Sequence, residues 1–379
     1  MKDQNKDVVV IGGDHYNTLW VVRSLGIMGF KPTIVVVNPL KKCSFVTKSK
    51  YVFTAYVVSD EVEMLELLNK LSFLERVVLF SSCDSVSDVI DQNYDELKKK
   101  YILPNCGEQQ GMLSYWMDKR VMTELAVKLG FNIPYSAEIN LRNGQFSLPD
   151  DIPYPCVLKP LKSSAGQKTD FRICVSRDEL EKALISLRIH CSSVLLQEYI
   201  KPDFEISVLG MRSRAIKQNL VPGLLYKTGT CQSVHNMGMP TYAYVEESLE
   251  PYVDRTVVDN FLNNIDYDGL YSIEFFVSEG KSCFLEINLR VDGDLFVYTT
   301  GGVNMPYLWA QLSMGMPIDN SSIRLKRKRT YGMTEISYLK YLKWNEPLKI
   351  IAEWWKTDCY SIFSWKDPLP FIYKFIFAI

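Results

Sequence analysis

Residues 8–11 form a β-branched apolar run that stops at Gly12 and Gly13, and apolar positions then recur at helical spacing from 19 to 28. A second apolar run covers 31–37, so the chain opens as strand, glycine turn, helix, strand, the start of a parallel α/β layer. Glycine at such a turn frees backbone N–H groups for a ligand, but G-x-G-x-x-G is missing and a plain strand-to-helix turn is the simpler reading. The pattern predicts a helix over 64–71, a strand over 76–80 and a turn at Cys83-Asp84-Ser85. Open α/β sheets bind ligands at such strand ends. Asp14, His15, Asp84 and Ser85 therefore either line a substrate pocket or serve as turn and cap residues.

A helix opens at Asp118-Lys119 and closes at Gly130, ahead of Pro134. Pro149, Pro153 and Pro155 mark a boundary, after which strands are expected at 156–160, 172–175, 194–200 and 204–209. Between the first two lies the basic, flexible stretch 162–168, which is built like a loop that covers phosphate. A helix over 178–187 takes Ser176 or Asp178 as its cap.

Two alternating segments around Glu279-Gly280-Lys281 predict an antiparallel hairpin that points Glu274, Glu286 and Asn288 the same way. Ser272 is the only other polar residue from 271 to 277, so these charges are isolated in an otherwise apolar strand, and buried carboxylates require a partner or a metal. Two carboxylates and an amide oxygen suit Mg²⁺, which prefers oxygen and leaves positions for water and substrate phosphate. Arg290, on the same face, adds a planar donor fork. A solvated acidic hairpin face is the plain alternative.

Composition changes this picture little. The 379 residues suit two or three subdomains around a cleft, and 43 basic against 44 acidic residues leave no global field for nucleic acid. Nine cysteines without a C-x-x-C pair read as free thiols of a reducing compartment, and His15, His190 and His235 lack zinc spacing. No run approaches bilayer-spanning length and no signal peptide is apparent, so a cytoplasmic protein is expected.

Taken in order, Lys119, Val157-Leu158-Lys159-Pro160, the Ser163-Ser164-Ala165-Gly166 loop, Gln197-Glu198-Tyr199-Ile200, Glu205, Glu274 and Glu286-Ile287-Asn288-Leu289-Arg290 resemble the ATP-grasp superfamily over roughly residues 1–318. The resemblance implies an α/β ATP-grasp fold with a Rossmann-like N-terminal domain (1–110), a lid-bearing part (111–200, lid about 155–200), a metal-bearing part (201–320) and an aromatic C-terminal extension (321–379). It implies that Lys119 and Lys159 hold nucleotide phosphates and that Ser163, Ser164 and Gly166 fold over them. Peptide groups of Gln197, Glu198, Tyr199 and Ile200 would pair with adenine, and Glu205 would accept from ribose. Glu274, Glu286 and Asn288 would bind two Mg²⁺ ions, with Mn²⁺ as a substitute, and Arg290 would steady a carboxylate or acyl phosphate. The reaction implied joins a small-molecule carboxylate to an amine through an acyl phosphate, releasing ADP and phosphate. A nucleotide-binding protein or phosphotransferase on the same fold is the alternative.

Within the superfamily, Arg23-Ser24-Leu25 and 300–306 look most like the carboxylate-amine ligases typified by D-aspartate ligase and short carbamoyl-phosphate-synthase-like proteins. Asp292 and Asp294 follow the motif arginine, where an amine would bind or lose its proton, or they form an ordinary turn. The run Arg324–Arg329 reads as a solvated strand or interdomain contact rather than a nucleic-acid patch. The tryptophan-rich tail either packs on the body or meets a membrane surface or lipid-linked acceptor. A homodimer is left open.

Overall fold

The computed structural model describes residues 6–40, 44–141, 146–160, 171–189, 192–228, 241–340, 342 and 346–377. Three sheets organise them. β1 (Asp7–Gly12), β2 (Lys31–Val37), β3 (Thr54–Val58), β4 (Val77–Ser81) and β5 (Tyr101–Ile102) run parallel in the order β3-β2-β1-β4-β5. The β-branched runs of β1, β2 and β4 are buried on both faces, as the centre of a parallel layer covered by helices demands. The strand order reverses between β1 and β4, so their carboxyl ends open a crevice at a topological switch point.

β6 (Asn105–Cys106) leads out of this layer into a four-stranded antiparallel sheet. There β7 (Ser136–Asn140), β8 (Cys156–Pro160), β9 (Arg172–Cys174) and β10 (Ser193–Glu198) lie in the order β7-β10-β8-β9. One helix, Arg177–Leu187, backs the sheet: Leu180, Leu184 and Leu187 recur on one face and are buried against Leu158, Val194 and Leu196. Ser176 caps it by accepting from the Glu179 N–H.

The third sheet is built from β11 (Phe204–Ser213), β12 (Gln218–Leu220), β13 (Leu224–Thr228), β14 (Tyr242–Glu246), β15 (Tyr267–Ser278), β16 (Lys281–Asn288), β17 (Thr330–Met333) and β18 (Cys359–Tyr360). Its path is β16-β15-β11-β13-β14-β17-β18, with β12 on β11 and β6 on β15. The β15–β16 hairpin turns on Glu279 and Gly280, both at positive φ (51° and 73°). Two such residues in succession give the turn whose twist matches that of the flanking strands, and this fixes the hairpin register.

Residues beyond 320 are woven into this body. They supply β17 and β18, and the buried Glu335 carboxylate accepts from the N–H groups of Ser361, Ile362 and Phe363 at 2.9, 2.9 and 2.8 Å. The basic run finds acids of its own chain: Arg327 meets Asp358 at 2.6 Å and Arg329 meets Glu246. Among the described residues no helix is long and apolar enough to cross a membrane.

Close backbone approach makes one testable point. A Cβ on Gly223 would lie 2.1 Å from the Glu246 carbonyl oxygen, with no flexible side chain to yield. Gly223→Ala should cost about 3 kcal/mol of stability, read as a lowered denaturant midpoint, because β13 must move off β14.

Candidate functional site

The site begins with the hairpin register. Glu274 of β15 lies directly opposite Glu286 of β16, and Ser272 opposite Asn288. The register shifts just after Glu274: Phe275 pairs with Phe284, leaving Leu285 as an extra residue. Such bulges re-aim side chains beside functional sites. Like charges directly across a ladder repel, so this pair persists only where cations compensate.

Two lysines do so. Lys119 Nζ lies 3.1 Å from Glu286 Oε2, and Lys227 Nζ lies 3.6 Å from Glu274 Oε2. Lys119 is the first residue of the Lys119–Lys128 helix, where a cation opposes the helix dipole. Asp118 still starts the helix there by accepting from the N–H groups of Arg120 and Val121. The lysine is thus placed for its neighbours across the cleft, at some cost to its own helix. Lys119 holds the Glu286 carboxyl down at about 2, with Lys159 assisting. Burial lifts Glu274 to about 7, since Lys227 only partly offsets desolvation and the facing Glu286.

Lys159, at the end of β8, joins this face to a hollow. It lines the hollow together with Val157, Ile173, Glu198, Tyr199, Ile200 and Phe276. Burial and the nearby Lys119 lower its ammonium to about 8, against the pull of Glu286 and Glu274. Gln197 also borders the hollow, and its amide donates to Ser136 Oγ at 3.0 Å. The Glu198 and Tyr199 N–H groups donate to the carbonyls of Tyr135 and Pro155, at 2.9 and 3.0 Å. Those two donors are therefore committed within the chain. Glu205 is not among the residues lining the hollow; it sits on the sheet face opposite Lys227 in the register, and burial raises its carboxyl.

Arg290 is clamped from the first layer. Its guanidinium pairs with Asp84, donates to Asn288 Oδ1 at 3.1 Å and donates to the Val291 carbonyl at 3.1 Å. Asp84 and Ser85 open the Asp84–Gln92 helix, so the stretch expected as a bare turn is a helix start that reaches Arg290 beyond the β15–β16 hairpin. Asp14 and His15 have local roles instead. Asp14 accepts from Ser44 and from the Val46 N–H, and His15 caps the Tyr16–Ile27 helix. The crevice at the switch point, about 560 Å³, is walled by Gly13, Val37, Cys83 and Ser85, with Asp60 and Glu61 at its edge.

Past the arginine, Asp292 is a structural hub. Its carboxylate accepts from Ser272 Oγ and from the Asp294 N–H, each at 2.8 Å. Asp294 is buried at the start of the Leu295–Gly301 helix, where desolvation and its acidic neighbours push it up to about 7 despite Lys227. Tyr16, from the first layer, comes close enough that burial and then Asp294 and Asp292 raise its phenol.

Lys119, Lys159, Glu274, Glu286, Asn288 and Arg290 thus share one cleft, and 197–200 border the adjoining hollow. Ser163, Ser164, Gly166, His190 and His235 lie outside the described residues. Lys227 and Tyr16 were missed by sequence reasoning. Lys227 carries a readable signal, being the one charge in the strand Leu224–Thr228; Tyr16 has none.

Residues 124–299 match the family model described as the ATP-grasp domain. That stretch is similar to ATP-grasp domains. A formate-dependent phosphoribosylglycinamide formyltransferase of Sulfurisphaera tokodaii is 27% identical over 179 residues, which is 44% of this chain and 43% of that protein. The chain spans about half the length of the curated relatives it matches. Among solved structures, an L-amino acid ligase from Bacillus licheniformis superposes with a TM-score of 0.63 at 14% identity, over 87% of this chain and 80% of that one. Biotin carboxylase of Campylobacter jejuni in its β,γ-ATP complex gives 0.64 at 16% identity, over 86% and 75%. These likenesses show a shared α/β ATP-grasp fold.

Proposed function

We propose that this protein is an ATP-dependent carboxylate-amine ligase. What carries the reading is the position of Lys159, which borders the hollow and senses both acidic hairpin residues. A nucleotide with its base in the hollow would direct its phosphates past Lys159 toward Lys119, Glu274 and Glu286. The committed Glu198 and Tyr199 donors leave the Glu198 carbonyl and the Ile200 peptide to meet the base edge.

The donor set fits magnesium: Glu274, Glu286 and the Asn288 amide oxygen are all hard oxygen ligands. Among the described residues no group of three His, Cys, Asp or Glu side chains converges, so phosphate oxygens would complete the shells of the two Mg²⁺ ions, or of Mn²⁺ in their place. When bound, the ions supply neutralisation of the outer phosphate charge.

In the first step a carboxylate oxygen of the acid attacks the γ-phosphorus and ADP leaves, giving an acyl phosphate. The amine nitrogen then attacks the carbonyl carbon, phosphate departs and an amide forms. Lys119 and Lys159 hold the phosphates by charge, Arg290 steadies the acid or its acyl phosphate, and Asp294 takes the ammonium proton. Release of Arg290 from Asp84 is part of admitting the acid. The free thiols, among them Cys156 and Cys174 facing each other in register, suit the cytoplasm.

A screen of acid and amine pairs for ADP and phosphate release, with mass spectrometry of the product, tests this. Phosphate release that requires both partners supports ligation. A phosphorylated acceptor without amine dependence identifies a phosphotransferase, and no turnover with any pair leaves a nucleotide-binding protein.

The acceptor step carries a pH signature. Asp294 must be ionised to take a proton, so kcat/KM for the amine should rise as pH climbs through about 7, the value to which burial pushes its carboxyl. Asp294→Asn should flatten that limb and lower the rate about 10²-fold, as pH-rate profiles would show. An unchanged profile removes Asp294 from proton transfer.

A further inference from the structure

The Pro347–Lys356 helix buries Ile350 on its inner side and yet leaves large apolar side chains outside. Glu353 is buried and accepts from the Tyr338 hydroxyl at 2.6 Å, while Leu348, Ile351 and Trp355 are 82, 63 and 89% exposed. Positions 348, 351 and 355 stack along one helix face, so the outward side is an apolar stripe. The Leu369–Phe377 helix repeats the arrangement with Leu369, Ile372 and Ile376 exposed at the same spacing, and Trp365 between the helices is 88% exposed. The rings of Trp354, Tyr360, Phe363 and Phe371 touch in succession, at centroid distances of 5.9, 5.9 and 5.2 Å. Both helices therefore rest on one aromatic bed.

Among the described residues, lysines gather around the second helix. Lys50 and Lys366 are exposed beside it, Lys48 lies over the Tyr373 ring at 4.8 Å and Lys374 over Phe45 at 4.7 Å. The acid in their midst, Asp367, is buried against Arg23. Apolar stripes with two exposed tryptophans and a lysine rim are the make-up of segments that lie in the headgroup layer.

We propose that this face docks on the surface of an anionic lipid bilayer. A second copy of the chain is a poorer partner, because a two-fold contact would set each lysine rim against itself, whereas an anionic leaflet complements it. The inference does not rest on the ligase reading, and its test needs no turnover.

Flotation of the full chain with phosphatidylglycerol-containing vesicles, against pure phosphatidylcholine vesicles, reads the association directly. Binding to the anionic vesicles alone is expected, weakening as salt rises and accompanied by a blue shift of tryptophan emission. Trp355→Ala with Trp365→Ala should weaken partition at least about tenfold while the far-ultraviolet circular dichroism stays native. Lys50→Glu with Lys366→Glu, which changes only exposed side chains, should abolish the preference for anionic lipid. Native protein that stays with the buffer, or binds neutral vesicles equally, overturns the proposal. So does a dimer in sedimentation that the double tryptophan variant dissolves without any vesicle binding, which would assign the face to a second copy.

Discussion

On the proposed ligase reading, Glu286→Gln is expected to reduce amide formation by about 10²- to 10³-fold, because it would remove a charge from the place where phosphoryl charge is to be neutralised. Glutamine keeps the shape and one oxygen, so the loss would report on charge and not on packing. The same change releases Lys119, leaving two ammonium groups, Lys119 and Lys159, facing each other without their shared carboxylate. Breaking a pair this enclosed should cost about 2 to 3 kcal/mol, visible as a lower thermal midpoint in the absence of nucleotide. Bound nucleotide phosphates would restore partners to both lysines, so ATP should stabilise the variant more than the native chain.

The pH dependence separates this account from simple damage. Glu286 is held at about 2, below the ordinary 4.5, so the stability it contributes is complete above about pH 4.5 and is lost as pH falls toward 2. The glutamine variant should lack that acid-side loss, and its melting curve against pH should be flatter between those values. Near-native turnover with normal nucleotide affinity in Glu286→Gln would sink both the metal role and the ligase reading.

Much of this site was legible because it depends on local alternation. A hairpin with a positive-φ turn fixes which residues face one another, so carboxylates isolated in apolar strands at 274 and 286 reveal a shared face before any tertiary contact is known. Three strands of the parallel layer, β1, β2 and β4, were legible for a similar reason, since β-branched runs buried on both faces read as continuous hydrophobic stretches, whereas the half-exposed β3 and the two-residue β5 give no such signal. Lys227 and Tyr16 were hidden because their placement comes from pairings distant in sequence. β13 reaches β15 only through β11, and Tyr16 meets Asp294 across two layers. Asp84 shows the same limit: its position at a strand end is readable, but its capture of Arg290, 206 residues away, is not. Residues past 320 were hard to place for a different reason. Strands of two and four residues give no periodicity, and aromatic composition alone cannot separate a bed that packs inward from a stripe that faces out.

Asp367→Ala is expected to destabilise the chain by about 3 to 5 kcal/mol, because it strands the Arg23 guanidinium in the interior. Both side chains are 1% exposed, and Nε lies 2.9 Å from Asp367 Oδ2. The rest of the clasp depends on the same carboxylate, which also accepts from Ser49 Oγ at 2.7 Å and the Lys50 N–H at 2.9 Å. Arg23 in turn donates to the carbonyls of Ile362 and Asp367, so one ion pair fastens the C-terminal segment to the first helix of the chain. Removing one partner leaves a buried charge, whereas removing both leaves apolar volume. Arg23→Met with Asp367→Leu should therefore recover most of the loss, and a double-mutant cycle in urea would measure the difference as coupling. Limited proteolysis of Asp367→Ala should release residues beyond about 356 first, since the broken clasp lies between that segment and the parallel layer. Additive losses in the cycle, with no preferred cleavage there, would mean the pair is a bystander to packing by Trp20, Phe363 and Phe371.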